Sequence, residues 1–206
     1  MAEQFVSRGF VGRRRSSPSQ AERIPPGQYE THDFPVLSAG PTPRVPLETW
    51  SFSIEGLVKN KVRWSWDEFL ALPAQTFTVD IHCVTKWSKL DTHWRGVSID
   101  TLLEHVELDP RAQFVTAYSV EGYTTNIPLP DILNGRAFVA YEYNGLPLLA
   151  AHGGPARLVV PALYFWKSAK WVAGLRLMDK DRPGFWEQLG YNNHGDPFRE
   201  ERYAGD

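Results

Sequence analysis

Apolar positions along the chain switch between a period of two and a period near three and a half. Trp50, Phe52 and Ile54 alternate with Ser51, Ser53 and Glu55, which predicts a half-buried strand ended by Gly56. Ser65-Trp66-Asp67-Glu68 has the form of a capping box, and Trp66, Phe69 and Leu70 then make one helical face that Pro73 terminates. A second strand is predicted over residues 77–84, with Phe77, Val79, Ile81 and Cys83 on one face and Asp80 and His82 on the other. Ser98 caps a further helix that carries Asp100 in its first turn and Ile99, Leu102, Leu103 and Val106 on one side. Residues 114–120 read as a strand leading to Gly122, and a short helix is expected from Pro130 to Gly135. Residues 137–143 enter a hairpin through Asn144-Gly145, a pair suited to the left-handed backbone of a tight turn. Leu158-Val159-Val160 and residues 171–178 are buried strand runs.

Strands and short helices follow one another without a βαβ period or an internal repeat, so the pattern predicts a single mixed α+β domain over residues 46–182. Residues 1–45 are polar and rich in proline, an extended arm ordered by packing on that domain. Residues 183–206 form a tail whose rings (Phe185, Trp186, Tyr191, Phe198 and Tyr203) are expected to pack on the domain rather than sit in water. The chain has 206 residues, 42% of them apolar and 22% charged, enough for one substantial core. A net charge of −2 gives no reason to expect nucleic acid as a partner. No stretch approaches the roughly 18 apolar residues of a membrane span, which argues against an integral membrane protein. Arg13-Arg14-Arg15 is followed by a polar stretch instead of an apolar segment, so an export signal is not expected and the cytoplasm is.

Cys83 is the only cysteine, which excludes an internal disulfide and any multi-cysteine metal site. Its strand face is apolar, so the thiol is either an inert core residue, a lone nucleophile or a single metal ligand. His82 points to the opposite face and is a poor partner for it, which leaves the distant His152 as the candidate base of a thiol enzyme. A second cluster follows in His152-Gly153-Gly154-Pro155, Arg157, Lys167, Ser168 and Lys170. Glycines permit close approach of the backbone; a guanidinium fork, two ammonium groups and a hydroxyl suit a phosphate or another anionic cofactor tail. The same charges could equally be solvated neighbours of a core strand. Asp91, His93, Trp94 and Arg95 are expected on a loop after the cysteine strand, either turning the chain or lining an entrance.

Three linked segments carry a resemblance: His82-Cys83-Val84-Thr85-Lys86-Trp87-Ser88, the run His152 to Pro161, and the run Tyr164 to Trp171. Over about residues 30–180 they resemble the molybdopterin-binding domain of the sulfite oxidase family. They are similar in particular to its short bacterial members and to the catalytic subunit of protein-methionine-sulfoxide reductase. The resemblance implies that family's α+β fold with a mixed sheet, and Mo-molybdopterin as cofactor. It implies Cys83 as the molybdenum ligand and, as cofactor-binding residues, His152, Arg157, Lys167, Ser168, Ala169 and Lys170. Ser119 and the pair His32 and Phe34 match further cofactor segments more loosely. Tyr123 and Tyr164, together with Cys83, are candidates to act on a substrate near the metal. A thiolate suits a metal already held by soft dithiolene sulfurs, and the redox chemistry then belongs to the cofactor. The implied function is oxygen-atom transfer on a small sulfite-, sulfoxide- or N-oxide-like substrate, with electrons exchanged with a separate haem or flavin protein. Where the family's sulfite enzymes have an arginine-rich pocket, this chain has Lys86, Trp87, Lys89 and Arg95, which argues against sulfite. Two other readings stay open at this point: a non-catalytic molybdopterin-binding carrier, and a metal-free thiol enzyme using Cys83.

Overall fold

Alternating apolar positions are satisfied by two β-sheets with few helices between them. The computed structural model describes residues 22–206, so the arginine run at 13–15 lies outside the described residues. In chain order the strands are β1 (Tyr29–Glu30), β2 (Ser51–Gly56), β3 (Val62–Ser65), β4 (Gln75–His82), β5 (Trp87–Ser98) and β6 (Phe114–Ser119). They continue with β7 (Thr124–Pro128), β8 (Phe138–Tyr143), β9 (Leu146–Pro147), β10 (Arg157–Val159) and β11 (Val172–Met178). Among the described residues there are three short helices, α1 (Trp66–Leu70), α2 (Ile99–Leu103) and α3 (Phe185–Gln188), and single 3-10 turns at Leu129–Asp131, Ala150–His152 and Phe165–Lys167.

The first sheet runs β1-β5-β8-β10, with β4 on β5 and β9 on β8. Strand β5 is its spine, antiparallel to β4 and β8 and parallel to β1 through Tyr29 opposite Trp87. That parallel addition brings the arm against the end of β5 nearest Cys83. The second sheet runs β3-β2-β11-β6-β7, with β11 parallel to β2 and antiparallel to β6. Successive side chains of β8 and β10 feed two cores, because strand residues alternate between faces. Val139 and Leu158 join the larger core with Phe52, Ile54, Ile99 and Leu175, while Phe138, Ala140 and Val159 join the smaller one with Ile81, Trp94 and Trp166. Cys83 belongs to this smaller core.

The helix signals act as expected at Ser65 and Ser98. Ser65 and Glu68 complete the capping box of α1, and the Ser98 hydroxyl accepts from the Thr101 amide. Leu70 is the exception on α1: it is exposed, and only Phe69 of that face is fully buried. Residues 91–95, expected on a loop, are part of the twelve-residue β5. There β5 carries an extra residue opposite Val79–Ile81, a bulge at which Asp91 takes φ 52°. The helix expected from Pro130 shrinks to one 3-10 turn.

Candidate active site

Strand β4 ends at His82, and Cys83 opens the turn into β5. The Cys83 amide donates to the Trp87 carbonyl (2.8 Å) and the Lys86 amide donates back to the Cys83 carbonyl (3.0 Å). Lys86 sits at φ 75°, the left-handed step that reverses the chain. The arm braces the turn from behind: Gln28 Nε2 donates to the Cys83 carbonyl (3.3 Å), and the Tyr29 amide donates to the Lys86 carbonyl (3.0 Å). The thiol is 7% exposed, and its burial pushes its pKa up. Opposing that, the Thr85 hydroxyl donates to Sγ at 3.1 Å, with backbone amides of Thr85 and Val84 also stabilising the thiolate. His82 lies on the far face, hydrogen-bonded through Nδ1 to Ser88 Oγ (2.9 Å) and packed under the Phe198 ring. Burial lowers its pKa to about 4, so it is neutral, and it is no base for the thiol. Both faces of β4 are buried at this end because arm and tail cover the one that alternation leaves outside.

Cys83 lies in the wall of a cavity of about 510 Å³, within the usual range for a small-molecule site. Its walls come from five stretches that are remote in sequence. The turn supplies Cys83, Val84 and Thr85; the arm supplies Phe34, Pro35 and residues 37–41. Ser119, His152, Arg157, Ser168 and Lys170 form a polar end, and Phe185, Trp186 and Tyr191 of the tail form an aromatic one.

The polar end holds two cations that no carboxylate neutralises among the described residues. Arg157 is 1% exposed and donates to the carbonyls of His152 and Ser168, each at 2.8 Å, with its guanidinium 4.0 Å above the Phe165 ring. Lys170 Nζ donates to the carbonyls of Leu37 and Ala151, each at 2.7 Å. Burial lowers the Arg157 pKa to about 9 and the Lys170 pKa to about 8, the second helped by the Arg157 charge. Two buried ring nitrogens in the same wall, Nδ1 of His152 and Nε1 of Trp87, have no partner among the described residues. Buried cations without counter-charge and orphaned ring nitrogens are the complement of an anionic, hydrogen-bonding ligand. A soft sulfur stands in the same cavity. Those features fit a pterin cofactor whose metal takes one thiolate. Among the described residues no group of three or more His, Cys, Asp or Glu side chains could hold a metal ion by itself, and Cys83 is the one thiol in the cavity wall.

The expected site residues divide into those brought to the cavity and those held elsewhere. Cys83, Phe34, Ser119, Tyr123, His152, Arg157, Ser168 and Lys170 line it, and Phe34 stacks on His152 with centroids 4.0 Å apart. Lys167, expected to hold cofactor, instead forms a buried ion pair with Glu187 (2.7 Å) and is absent from the cavity wall. The 3-10 turn at Phe165–Lys167 points its last side chain into the tail instead of the cavity. Ala169 is a core residue whose carbonyl accepts from the Leu158 amide. His32 is exposed; only its carbonyl is engaged, by Lys89. Tyr164 is fully buried beneath Arg202, outside the cavity, and the Tyr123 hydroxyl donates to the Trp166 carbonyl (2.6 Å). Gly153 and Gly154 do permit close approach, but of the chain to itself. A Cβ on Gly153 would stand 2.9 Å from that of Lys170, and one on Gly154 would stand 2.0 Å from the Leu148 carbonyl oxygen.

Tyr191 is the phenol that sequence reading passed over. It lines the cavity, stacks on Trp186 with centroids 5.0 Å apart, and meets Trp166 edge-on at 5.0 Å. Its phenol pKa is raised by burial, by Tyr203 and by the charge of Cys83. The only sequence signal for it was the aromatic density of the tail.

Comparison with known proteins identifies the family and the fold. Residues 39–186 match the family described as an oxidoreductase molybdopterin-binding domain. An uncharacterized oxidoreductase of Bacillus subtilis, YuiH, is 41% identical over 96% of this chain and all of its own length. A putative protein-methionine-sulfoxide reductase subunit, YedZ1, of Azospira oryzae is 31% identical over 86% of this chain and 69% of its own. The protein-methionine-sulfoxide reductase catalytic subunit MsrP of Gluconobacter oxydans is 29% identical over 71% of this chain; the match spans 52% of that protein. Among solved structures, the sulfane dehydrogenase SoxCD of Paracoccus pantotrophus superposes with a TM-score of 0.61 at 18% identity, over 87% of this chain and 56% of that one, a likeness of fold.

Proposed function

The chain belongs to the family of oxidoreductases with a molybdopterin-binding domain, and from that premise we propose that it transfers an oxygen atom to or from a small neutral sulfur or nitrogen centre. It is an oxidoreductase with Mo-molybdopterin as cofactor. When bound, the cofactor's molybdenum supplies the two-electron change that accompanies oxygen-atom transfer. For a sulfoxide the balance is one sulfoxide, two protons and two electrons giving one thioether and one water.

The rest is work for side chains. Cys83 would hold the metal by its thiolate, poised at the end of a turn that β4, β5 and the arm fix together. Arg157 and Lys170 would hold the cofactor's anionic end, and His152 and Ser168 would add hydrogen bonds. Tyr191 and Trp186 would face the substrate.

One observation carries the choice of a neutral substrate. The cavity's tail-side wall is aromatic, and the cations following Cys83 are turned away from it. Lys89 holds the His32 carbonyl, Arg95 faces Glu142, and neither these nor Lys86 lines the cavity. An anion such as sulfite finds no unengaged cation there, whereas sulfoxides and thioethers gain from aromatic neighbours. YedZ1 and MsrP, by their names reductases of protein methionine sulfoxide, support the same choice. Among the described residues no helix is long and apolar enough to cross a membrane, and we assign electron supply to a separate haem or flavin protein.

The test is turnover by protein produced in a cofactor-making host, with molybdenum measured by mass spectrometry. Dialkyl sulfoxides and N-oxides are offered with reduced viologen, and sulfite with ferricyanide. We expect near-stoichiometric molybdenum and reduction of a sulfoxide or N-oxide, with both lost in a folded Cys83→Ala variant. Sulfite as the preferred substrate, or a fully loaded protein that turns over none of them, would overturn the proposal.

A further inference from the structure

The Thr85 side chain is exposed and free to satisfy its hydroxyl with water, yet it donates to the buried Cys83 sulfur at 3.1 Å. Its aim is fixed by the backbone. Cys83 and Lys86 are tied across the turn, Cys83 and Trp87 close the hairpin, and β1 pins the far side through Tyr29. In this turn Thr85 stands on the cavity side, in the wall with Cys83 and Val84. Hydrogen bonds to a buried sulfur are strengthened by the low local dielectric. At metal–thiolate centres such donors draw charge from the sulfur, weaken its donation to the metal and favour the reduced state.

We propose that Thr85 is a positioning residue that tunes the molybdenum centre, its hydroxyl raising the reduction potential through the Cys83 sulfur. This rests on the reading of Cys83 as the metal ligand. It gives threonine at this position a role that neither packing nor turn geometry requires, because the side chain contributes little to the core and the turn's left-handed residue is its neighbour, Lys86.

The experiment is potentiometric titration of the molybdenum-loaded protein, followed by the paramagnetic molybdenum signal in EPR, in wild type, Thr85→Val, Thr85→Ala and Thr85→Ser. Loss of the hydroxyl is expected to shift the potential downward, changing the oxidised-to-reduced ratio at fixed ambient potential about tenfold, or about 59 mV for a one-electron couple. The sulfur-to-metal charge-transfer absorption should move to lower energy in the same two variants, and Thr85→Ser should stay near wild type in both readouts. If valine and alanine variants load metal normally and keep the wild-type potential, the proposal is overturned. If neither loads metal while the serine variant does, the hydroxyl serves metal capture and the tuning role falls. Cys83→Ala protein that carries molybdenum with the wild-type EPR signal and charge-transfer absorption would sink the ligand reading instead, which separates the two failures.

Discussion

Replacing Lys167 by methionine tests whether this lysine holds the fold, as its burial with Glu187 indicates, or a cofactor. Lys167 Nζ is fully buried and makes four contacts: Glu187 Oε1 (2.7 Å), the carbonyls of Asn126 (2.8 Å) and Asn193 (2.7 Å), and Asn126 Oδ1 (3.2 Å). Glu187 is equally buried; Thr125 and Trp166 each donate to its Oε1 at 2.9 Å, and its Oε2 has no partner. Methionine matches the lysine stem in length and removes the charge, so Glu187 is left buried with two neutral donors. Breaking one side of a buried ion pair costs about 3–5 kcal/mol, mostly the desolvation of the stranded partner. For a chain of this size each kcal/mol lowers Tm by about 2–4 °C, so the expected fall is roughly 6–20 °C. Calorimetry and urea unfolding followed by tryptophan fluorescence read it directly. Lys167→Met/Glu187→Leu should recover much of the loss, since an apolar pair carries no stranded charge. Lys170→Met, at a half-buried cation engaged only by carbonyls, should cost less stability and more cofactor. A Lys167→Met protein within about 1 kcal/mol of wild type, or one that keeps its stability and loses its cofactor, would refute the assignment.

Lys170 also predicts a pH dependence. Its pKa in the free protein is about 8, so the ammonium needed by an anionic ligand is present below that pH and lost above it. Retention of cofactor, followed by fluorescence of released pterin, should weaken as pH rises through 8, and Lys170→Arg should flatten the profile. His194 acts on stability instead. Hydrogen bonds to Asp131 (3.0 Å) and Glu201 (2.8 Å) raise its pKa to about 9, above the unfolded value near 6.5. Its contribution is therefore full below pH 6.5 and disappears as pH rises through 9. Unfolding at pH 6 and pH 9.5 should differ more in wild type than in His194→Ala.

Local signals were legible where one short stretch decides the outcome. Ser65 with Glu68, Ser98 with Thr101 and the Asn144-Gly145 turn each act within a few residues, and each element forms where its chemistry says. The period-two runs at 51–56 and 172–178 were readable as strands, but their parallel pairing was not, because 121 residues separate Ser53 from Gly174. The polar end of the cavity was legible through motif resemblance, whose residues Cys83, His152, Arg157 and Lys170 share its wall. It misled at Lys167, because spacing in a motif does not say which way a 3-10 turn sends its last side chain. Tyr164 lies outside the cavity, whereas Tyr123 reaches its wall with its hydroxyl on the Trp166 carbonyl, since a buried phenol's partner is set by tertiary packing. Tyr191 reaches the cavity only through contacts of the tail, among them Lys167 with Asn193 and the Tyr164 amide with the Gly195 carbonyl. No local pattern encodes those.

The cavity walls come from residues 34–41 near one end of the described chain and 185–191 near the other. That has a consequence for biosynthesis. While a nascent chain is still being extended, the arm and the Cys83 turn are made, but the aromatic wall is not. Strand β11, which joins β2 to β6 in the second sheet, is made later than either of them. A polypeptide stalled before residue 185 therefore has Cys83, Arg157 and Lys170 but lacks the aromatic wall of Phe185, Trp186 and Tyr191. Enclosure of the cavity is in this way a property of the folded chain as a whole, because its first and last walls are joined only by tertiary contacts.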